Sequence, residues 1–279
     1  MKNKQLLNII IIHIIAWIFA LIWMLPFIGL FMTSIRPYDE IIYGWWHFEN
    51  FTFTFQNFIR AWNHPTAALS VGMRNSLLVA IPATILPIFI ASIAAYGFAR
   101  FKFVIKNYLF ITIVILMTIP QQMIAVPIFR LLKEMHLLNN FLGIIIVHSA
   151  WAAPWIIFFM RNYFSTLPVE IEEAATVDGA SDFTVFFKIV LPTCIPALIS
   201  VAALQFSWVW SDFFIALILI FSPNKLLATQ RIPLMRGVYF VDWGLLSASA
   251  ILVMAVPILV FALLQRYYIK GMVGWTLKQ

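Results

Sequence analysis

The chain has 279 residues, of which 63% are hydrophobic and only 10% charged, and its mean hydropathy is +0.96. So few ionisable groups cannot solvate the surface of a water-soluble domain, which excludes that class and places the chain in a bilayer. A net charge of +7 does not point to nucleic acid here, because the cations sit at the edges of apolar segments, where headgroup contacts and topology account for them.

A transmembrane helix needs about 20 mostly apolar residues to cross about 30 Å of hydrocarbon. No Asp, Glu, Lys or Arg occurs in Gln5–Ile35, Asn75–Ala99, Asn107–Phe129, Met135–Met160, Ile189–Ser211 or Trp243–Gln265. These intervals predict six helices, near 9–31, 72–97, 107–129, 141–161, 197–221 and 244–266. The segments of about 10 residues with alternating polarity that mark a β-barrel are missing. The fold class is therefore an all-α integral membrane protein. Lys2 and Lys4 ahead of the first run look like the start of a signal peptide. The run continues to about Met32, though, past an h-region of about 7–15 residues and without a small-residue cleavage site, so it reads as a retained first helix.

Cation density in the flanks sets the orientation. With the amino terminus inside, Arg100, Lys102 and Lys106 crowd one short inner turn, whereas Arg36, Arg60 and Arg74 spread over the first outer loop. Both termini are then cytosolic. That outer loop, from about Thr33 to Val71, carries Trp45, Trp46, Phe48, Phe51, Phe53, Phe55, Phe58 and Trp62. Its rings suit interfacial anchoring or packing, and Phe51, Phe53 and Phe55 alternate as in an extended or membrane-surface segment. Ser222–Asp242 forms a second outer surface.

Between the fourth and fifth spans, residues 162–196 form a polar break, and five of the eleven acidic residues fall between Glu170 and Asp182. Pro168 suits a first helical turn, Thr166 is a candidate cap, and Glu170, Glu172 and Glu173 lie where the helix dipole favours anions. A short helix to about Val177 follows; Gly179 can end it in the left-handed conformation, Ser181 can cap a second helix, and Pro192 and Pro196 then break the chain before the fifth span. Ala174 and Ala175 are small enough to let another backbone approach closely. Read by its residues alone, the break is either a solvated helical hairpin or a surface presented to a partner.

In the fifth span Gln205, Trp208 and Asp212 fall at i, i+3 and i+7, on one helical face. An ionisable residue at such depth costs roughly 2.5–3.5 kcal/mol, so Asp212 should face a cavity or a partner. Either the three line a path for a sugar, or Asp212 satisfies a neighbouring helix or an outer Arg while Trp208 and Trp210 join the interfacial belt. Gln121 and Gln122, after Pro120 in the third span, invite the same two readings. Cys194 is the single cysteine, so no disulfide forms within the chain, and His13, His47, His64, His136 and His148 show no metal-ligand spacing. No phosphate-binding G-x-x-x-x-G-K-[ST] loop occurs. If ATP drives this protein, another chain binds it.

The acidic break reads Glu173-Ala174-Ala175, three residues, Gly179, nine residues, then Ile189-x-Leu191-Pro192. At every fixed position this resembles the signature of membrane-spanning permease subunits of binding-protein-dependent ABC importers. Asn75-Ser76-Leu77, Ala95-Tyr96-Gly97-Phe98-Ala99-Arg100 and Gln265-Arg266-Tyr267-Tyr268-Ile269-Lys270-Gly271 resemble the carbohydrate-uptake branch, with its maltose-type component. The resemblance implies a permease core over 72–266, preceded by one helix and an outer loop over 1–71 and followed by a cytosolic tail over 267–279. It also implies that the loop is a coupling helix docking on an ATPase, with Glu173, Ala174, Ala175, Asp178 and Gly179 shaping it and Ile189, Leu191 and Pro192 anchoring its return. The partners implied are a second permease subunit, two ATPase subunits holding ATP and Mg2+, and an extracytoplasmic solute-binding protein, all at a prokaryotic plasma membrane among its lipids. This chain itself would bind no cofactor or metal and make or break no covalent bond. Two departures stand out: Trp210-Ser211-Asp212 replaces the family's Trp-Asn-Asp or Trp-Asn-Glu, and Trp275 to Gln279 do not follow the usual ending. The competing expectation is an ion-coupled secondary transporter using Asp212, against which no internal repeat is visible. A membrane enzyme would need a catalytic cluster, and none is visible.

Overall fold

The computed structural model describes residues 2–237 and 239–276, and among them it is helical with no strand. In chain order the helices are α1 (Lys2–Ser34), α2 (Tyr38–Ile41), α3 (Gln56–Trp62), α4 (Leu69–Arg100), α5 (Lys106–Leu116), α6 (Ala125–Glu134), α7 (Phe141–Phe164), α8 (Glu170–Val177), α9 (Asp182–Val185), α10 (Leu191–Thr193), α11 (Ile195–Ser211), α12 (Phe214–Leu219), α13 (Ala228–Leu234) and α14 (Trp243–Thr276). A 3-10 turn, Gln121–Ile124, precedes α6, and a π turn, Phe186–Val190, joins α9 to α10. The last three residues of the expected tail, including Lys278, lie outside the described residues.

Among the described residues, four helices are long and apolar enough to cross a membrane, and up to six spans result if each of two bent pairs counts as one. The expected third helix, 107–129, is such a pair: Lys106–Leu116 and Gln121–Glu134 meet at 95°. Pro120 causes the break, since it donates no N–H, adopts an extended conformation, and steers Ile119 away from helical geometry. The expected fifth helix, 197–221, is also divided. Ahead of it, the chain bends by 74° at Cys194, between Asp182–Thr193 and Ile195–Ser211, where Pro196 has no N–H to close the helical bond. The helix ends at Ser211, and Asp212 is extended (φ −65°, ψ 130°) before α12 begins.

The chain divides into two compact units, one formed by Met1–Ser70 with Arg231–Met254 and the other by Val71–Gln230 with Ala255–Gln279. In the first, the span within α1 has none of its apolar window buried. The aromatic-rich loop folds around Arg36, which is fully buried; its Nε donates to Glu40 at 3.0 Å, its two NH groups donate to the Trp45 and Asn50 carbonyls, and its guanidinium lies over the Phe51 ring. Arg60 pairs with Asp242 at 2.6 Å. Of these two cations, read from sequence as topology markers and headgroup contacts, Arg36 ties the loop internally and Arg60 ties it to the end of the Ser222–Asp242 segment. Residues 51–55 belong to no helix or strand, and Phe55, with φ −95° and ψ 3°, is not extended; Thr54 N–H donates to the Ile35 carbonyl at 2.8 Å.

In the second unit, Ala91, Ala95, Ala152 and Ala197 let α4, α7 and α11 approach closely, and Ile156, Met160, Phe164, Phe186 and Val190 fill the remaining space. Cys194 is sealed in this core. Pro87 lies inside α4 and frees the Ala83 carbonyl four residues earlier; Gln205 Nε2 donates to it at 3.2 Å. At the start of α4, Asn75 donates to the Asn224 and Leu226 carbonyls and Ser76 Oγ accepts from Ala228 N–H, so this dipeptide clasps the segment leading into α13.

Candidate functional site

The acidic break folds as two short helices around a tight stop. α8 starts at Glu170 with no side-chain cap; Thr166, the expected cap, donates back to the Tyr163 carbonyl. At the far end Gly179 has φ +86°, its N–H donates to the Thr176 carbonyl, and Ala180 N–H donates to the Ala175 carbonyl. This paired pattern is a Schellman stop, which a left-handed residue allows and glycine adopts without strain. Ser181 Oγ then accepts from Thr184 N–H and caps α9, as its position in the sequence predicts.

The three glutamates of α8 separate by side. Glu172 points inward and is 8% exposed. Arg100 binds its Oε1 through Nε at 2.8 Å and a terminal NH at 2.6 Å, Tyr96 OH donates to Oε2 at 2.7 Å, and Arg100 also reaches the Leu167 carbonyl. The Tyr96-to-Arg100 motif closing α4 is thus bolted to the acidic break. Glu173, Ala174, Asp178 and Gly179 face outward, beside exposed Ile171, Val177 and Phe183. Ala175, expected beside Ala174 as a point of close approach, instead packs with Ala180 and Leu191 on the chain's own core. Ile189 is half-buried and Pro192 exposed on the return toward α11. Sequence periodicity missed Glu172, Tyr96 and Arg100 as a unit, because their association is a matter of tertiary packing.

A second place gathers the polar residues of the spans. A cavity of about 220 Å³ is lined by Gln121, His148, Trp151, Ala152, Gln205, Trp208, Val209 and Asp212. Four of the five residues expected along a solute path meet here, whereas Gln122 is exposed and lies outside the lining. Gln205 forms wall: besides its bond to Ala83, its Oε1 accepts from Trp155 Nε1 at 3.3 Å. Trp208 is 64% exposed, with Trp155 edge-on to it at 5.6 Å. Trp210, grouped with it in sequence as a belt residue, is instead buried and stacked on Phe206.

Asp212 sits at the helix break, where its carboxylate oxygens accept from Ile215 and Ala216 N–H at 3.3 and 2.9 Å and so cap α12. Opposite, His148 Nε2 is buried, has no hydrogen-bond partner among the described residues, and lies 3.7 Å from Asp212 Oδ2. Metal-ligand spacing in the sequence does not single out His148. The signal that identifies it is an ionisable ring within an apolar span.

The profile of the family described as binding-protein-dependent transport system inner membrane component matches residues 87–274. A probable ABC transporter permease protein of Pyrococcus horikoshii is 59% identical over 267 residues, covering 96% of this chain and 97% of the relative. An alpha-glucoside transport system permease protein of Rhizobium meliloti is 37% identical over 232 residues, or 81% of this chain and 60% of the relative. Among solved structures, a bacterial ABC transporter involved in the import of alginate superposes with a TM-score of 0.80 at 20% identity, covering 96% of this chain and 98% of that one.

Proposed function

Because this chain belongs to the binding-protein-dependent transport system inner membrane component family, we propose that it is the multi-pass permease subunit of an ATP-driven importer that moves a carbohydrate or related polyol inward by alternating access. The observation that carries this reading is the division of labour within the acidic break. Glu172 is consumed in holding α8 to Arg100 and Tyr96, while Glu173, Ala174 and Asp178 are left outward beside the exposed Val177 and Phe183. A small apolar surface with an acidic rim, fixed rigidly to a long span, is suited to dock another protein and pass on its movement.

The partner is a pair of ATPase subunits carrying ATP and Mg2+, joined by a second permease subunit and an extracytoplasmic solute-binding protein, with both termini of this chain in the cytosol. No bond is made or broken here, and catalysis belongs to the ATPase. Ile189, Leu191 and Pro192 anchor the docking element's return to α11. The solute path runs past Gln121, Trp208 and Asp212. A carbohydrate cargo is supported by the alpha-glucoside permease relative.

Affinity purification of the tagged chain from its native membrane tests the reading. The wild type is expected to retain an ATPase subunit and Glu173→Lys to lose it, because the substitution reverses the charge of the outward rim. Solute uptake by the purified chain alone, driven by an ion gradient, would establish the secondary-transporter alternative instead.

A further inference from the structure

We infer that the cavity between α7 and α11 is itself a binding site for one neutral, polyhydroxylated ring, in which His148 and Asp212 jointly read a single hydroxyl and the Asp212 carboxylate rejects acidic sugars. This deepens the proposed importer function and rests on it for the direction of transport, though binding at the site is a property of this chain alone.

Four features carry it. His148 Nε2 is an orphan: the side chain is 8% exposed, lines the cavity, and finds no hydrogen-bond partner among the described residues. Burying such a group unsatisfied is costly, and one that persists at a cavity wall marks where an arriving group completes it. The gap of 3.7 Å to Asp212 Oδ2 is too long for a direct hydrogen bond. A hydroxyl placed against both atoms accepts from Nε2–H and donates to Oδ2, the pairing that a group with one donor and two acceptor sites performs. A solute carboxylate at that place would set anion against anion in a poorly solvated wall, which discriminates against uronic acids.

The remaining two features concern shape. Trp208 presents an exposed indole that Trp155 braces edge-on at 5.6 Å, a platform for the apolar face of a pyranose. The volume of about 220 Å³ gives room for a single ring unit. Gln121 adds an amide to the lining, from the 3-10 turn that follows Pro120.

Saturation-transfer NMR on the full chain in phospholipid nanodiscs, with methyl α-glucoside and glucuronate as probes, tests this directly. The glucoside's ring protons are expected to saturate, with glucuronate about tenfold weaker at equal concentration. Asp212→Asn should bring the glucuronate signal up toward that of the glucoside. His148→Gln and Trp208→Ala should each lower the glucoside signal several-fold, on the order of one lost hydrogen bond or stacking contact. Equal wild-type signals for the two probes, no signal for either, or a glucoside signal indifferent to all three substitutions overturns the inference. Should His148→Gln fail to run as a monodisperse species, Trp208→Ala, at an exposed position, and Asp212→Asn decide the matter. Loss of the importer reading would show separately, as failure of an ATPase to co-purify with a chain that still binds the glucoside.

Discussion

Glu172 and Asp212 have equally sheltered side chains, each 10% exposed, and each faces a nitrogenous partner across a helix packing, yet they are used in opposite ways. Glu172 has both oxygens filled by Arg100 and Tyr96, two side chains at the end of α4. Asp212 satisfies two backbone N–H groups at the start of α12 and leaves its nearest titratable neighbour, His148, unmatched. A saturated carboxylate fixes elements to one another. One beside an unsatisfied donor keeps a capacity in reserve, so the first belongs to force-bearing structure and the second to recognition.

The contrast makes stability predictions of graded size. Glu172→Ala strands Arg100, a side chain only 12% exposed, without its counter-charge, and the cost should be on the order of 3–5 kcal/mol. Apparent melting in nanodiscs should fall steeply or the protein should cease to be monodisperse; wild-type melting would break the distinction at once. Gly179→Ala probes the same loop's other fastening. Its φ is +86° and a methyl group there would meet nothing within 4 Å, so the substitution isolates backbone strain, worth about 1–2 kcal/mol, which Gly179→Asn should partly recover.

Asp212→Asn keeps one capping oxygen but turns its NH2 toward the other backbone N–H, so it should lower stability by about 1 kcal/mol. A drop as large as that of Glu172→Ala would make Asp212 a second structural tie. The smallest effect concerns Glu40, a third paired carboxylate but one nearer water. Burial would raise its pKa, yet hydrogen bonds from Thr52 and the Arg36 guanidinium hold it below its ordinary value of 4.5. Its contribution is therefore complete above that value and lost as pH falls through the lower native one. The melting difference between wild type and Glu40→Gln should stay constant near neutrality and shrink in acid.

Charge-free intervals were enough to read the fold as helical and to place the segments of spanning length, because apolar length is a linear property of sequence. The bend at Pro120 was hidden inside one of those intervals, since hydropathy does not respond to direction, whereas the bend at Cys194 falls where Pro192 and Pro196 mark a break; the break at Asp212 lies just past the end of its interval, within the expected helix 197–221. Gly179 and Ser181 were legible because stops and caps are local chemistry. Which glutamate of α8 turns inward was not, as Glu172 and Glu173 are adjacent and only the arrival of Arg100 distinguishes them. At the cavity, Gln205, Trp208 and Asp212 shared a helical face, whereas Gln121 and His148 came from other helices. Gln205 also turned out to serve the carbonyl that Pro87 frees, a demand no local pattern around residue 205 expresses.

The burial of Cys194 makes this chain convenient to instrument. The single native thiol is closed inside the α4, α7 and α11 core, so a maleimide probe meets no competing site on the folded surface. A cysteine placed at Val177, 88% exposed at the tip of α8, would carry the label alone. The untouched natural sequence is therefore already a background for following that tip, one fluorophore or spin label at a time, through whatever cycle its partners impose.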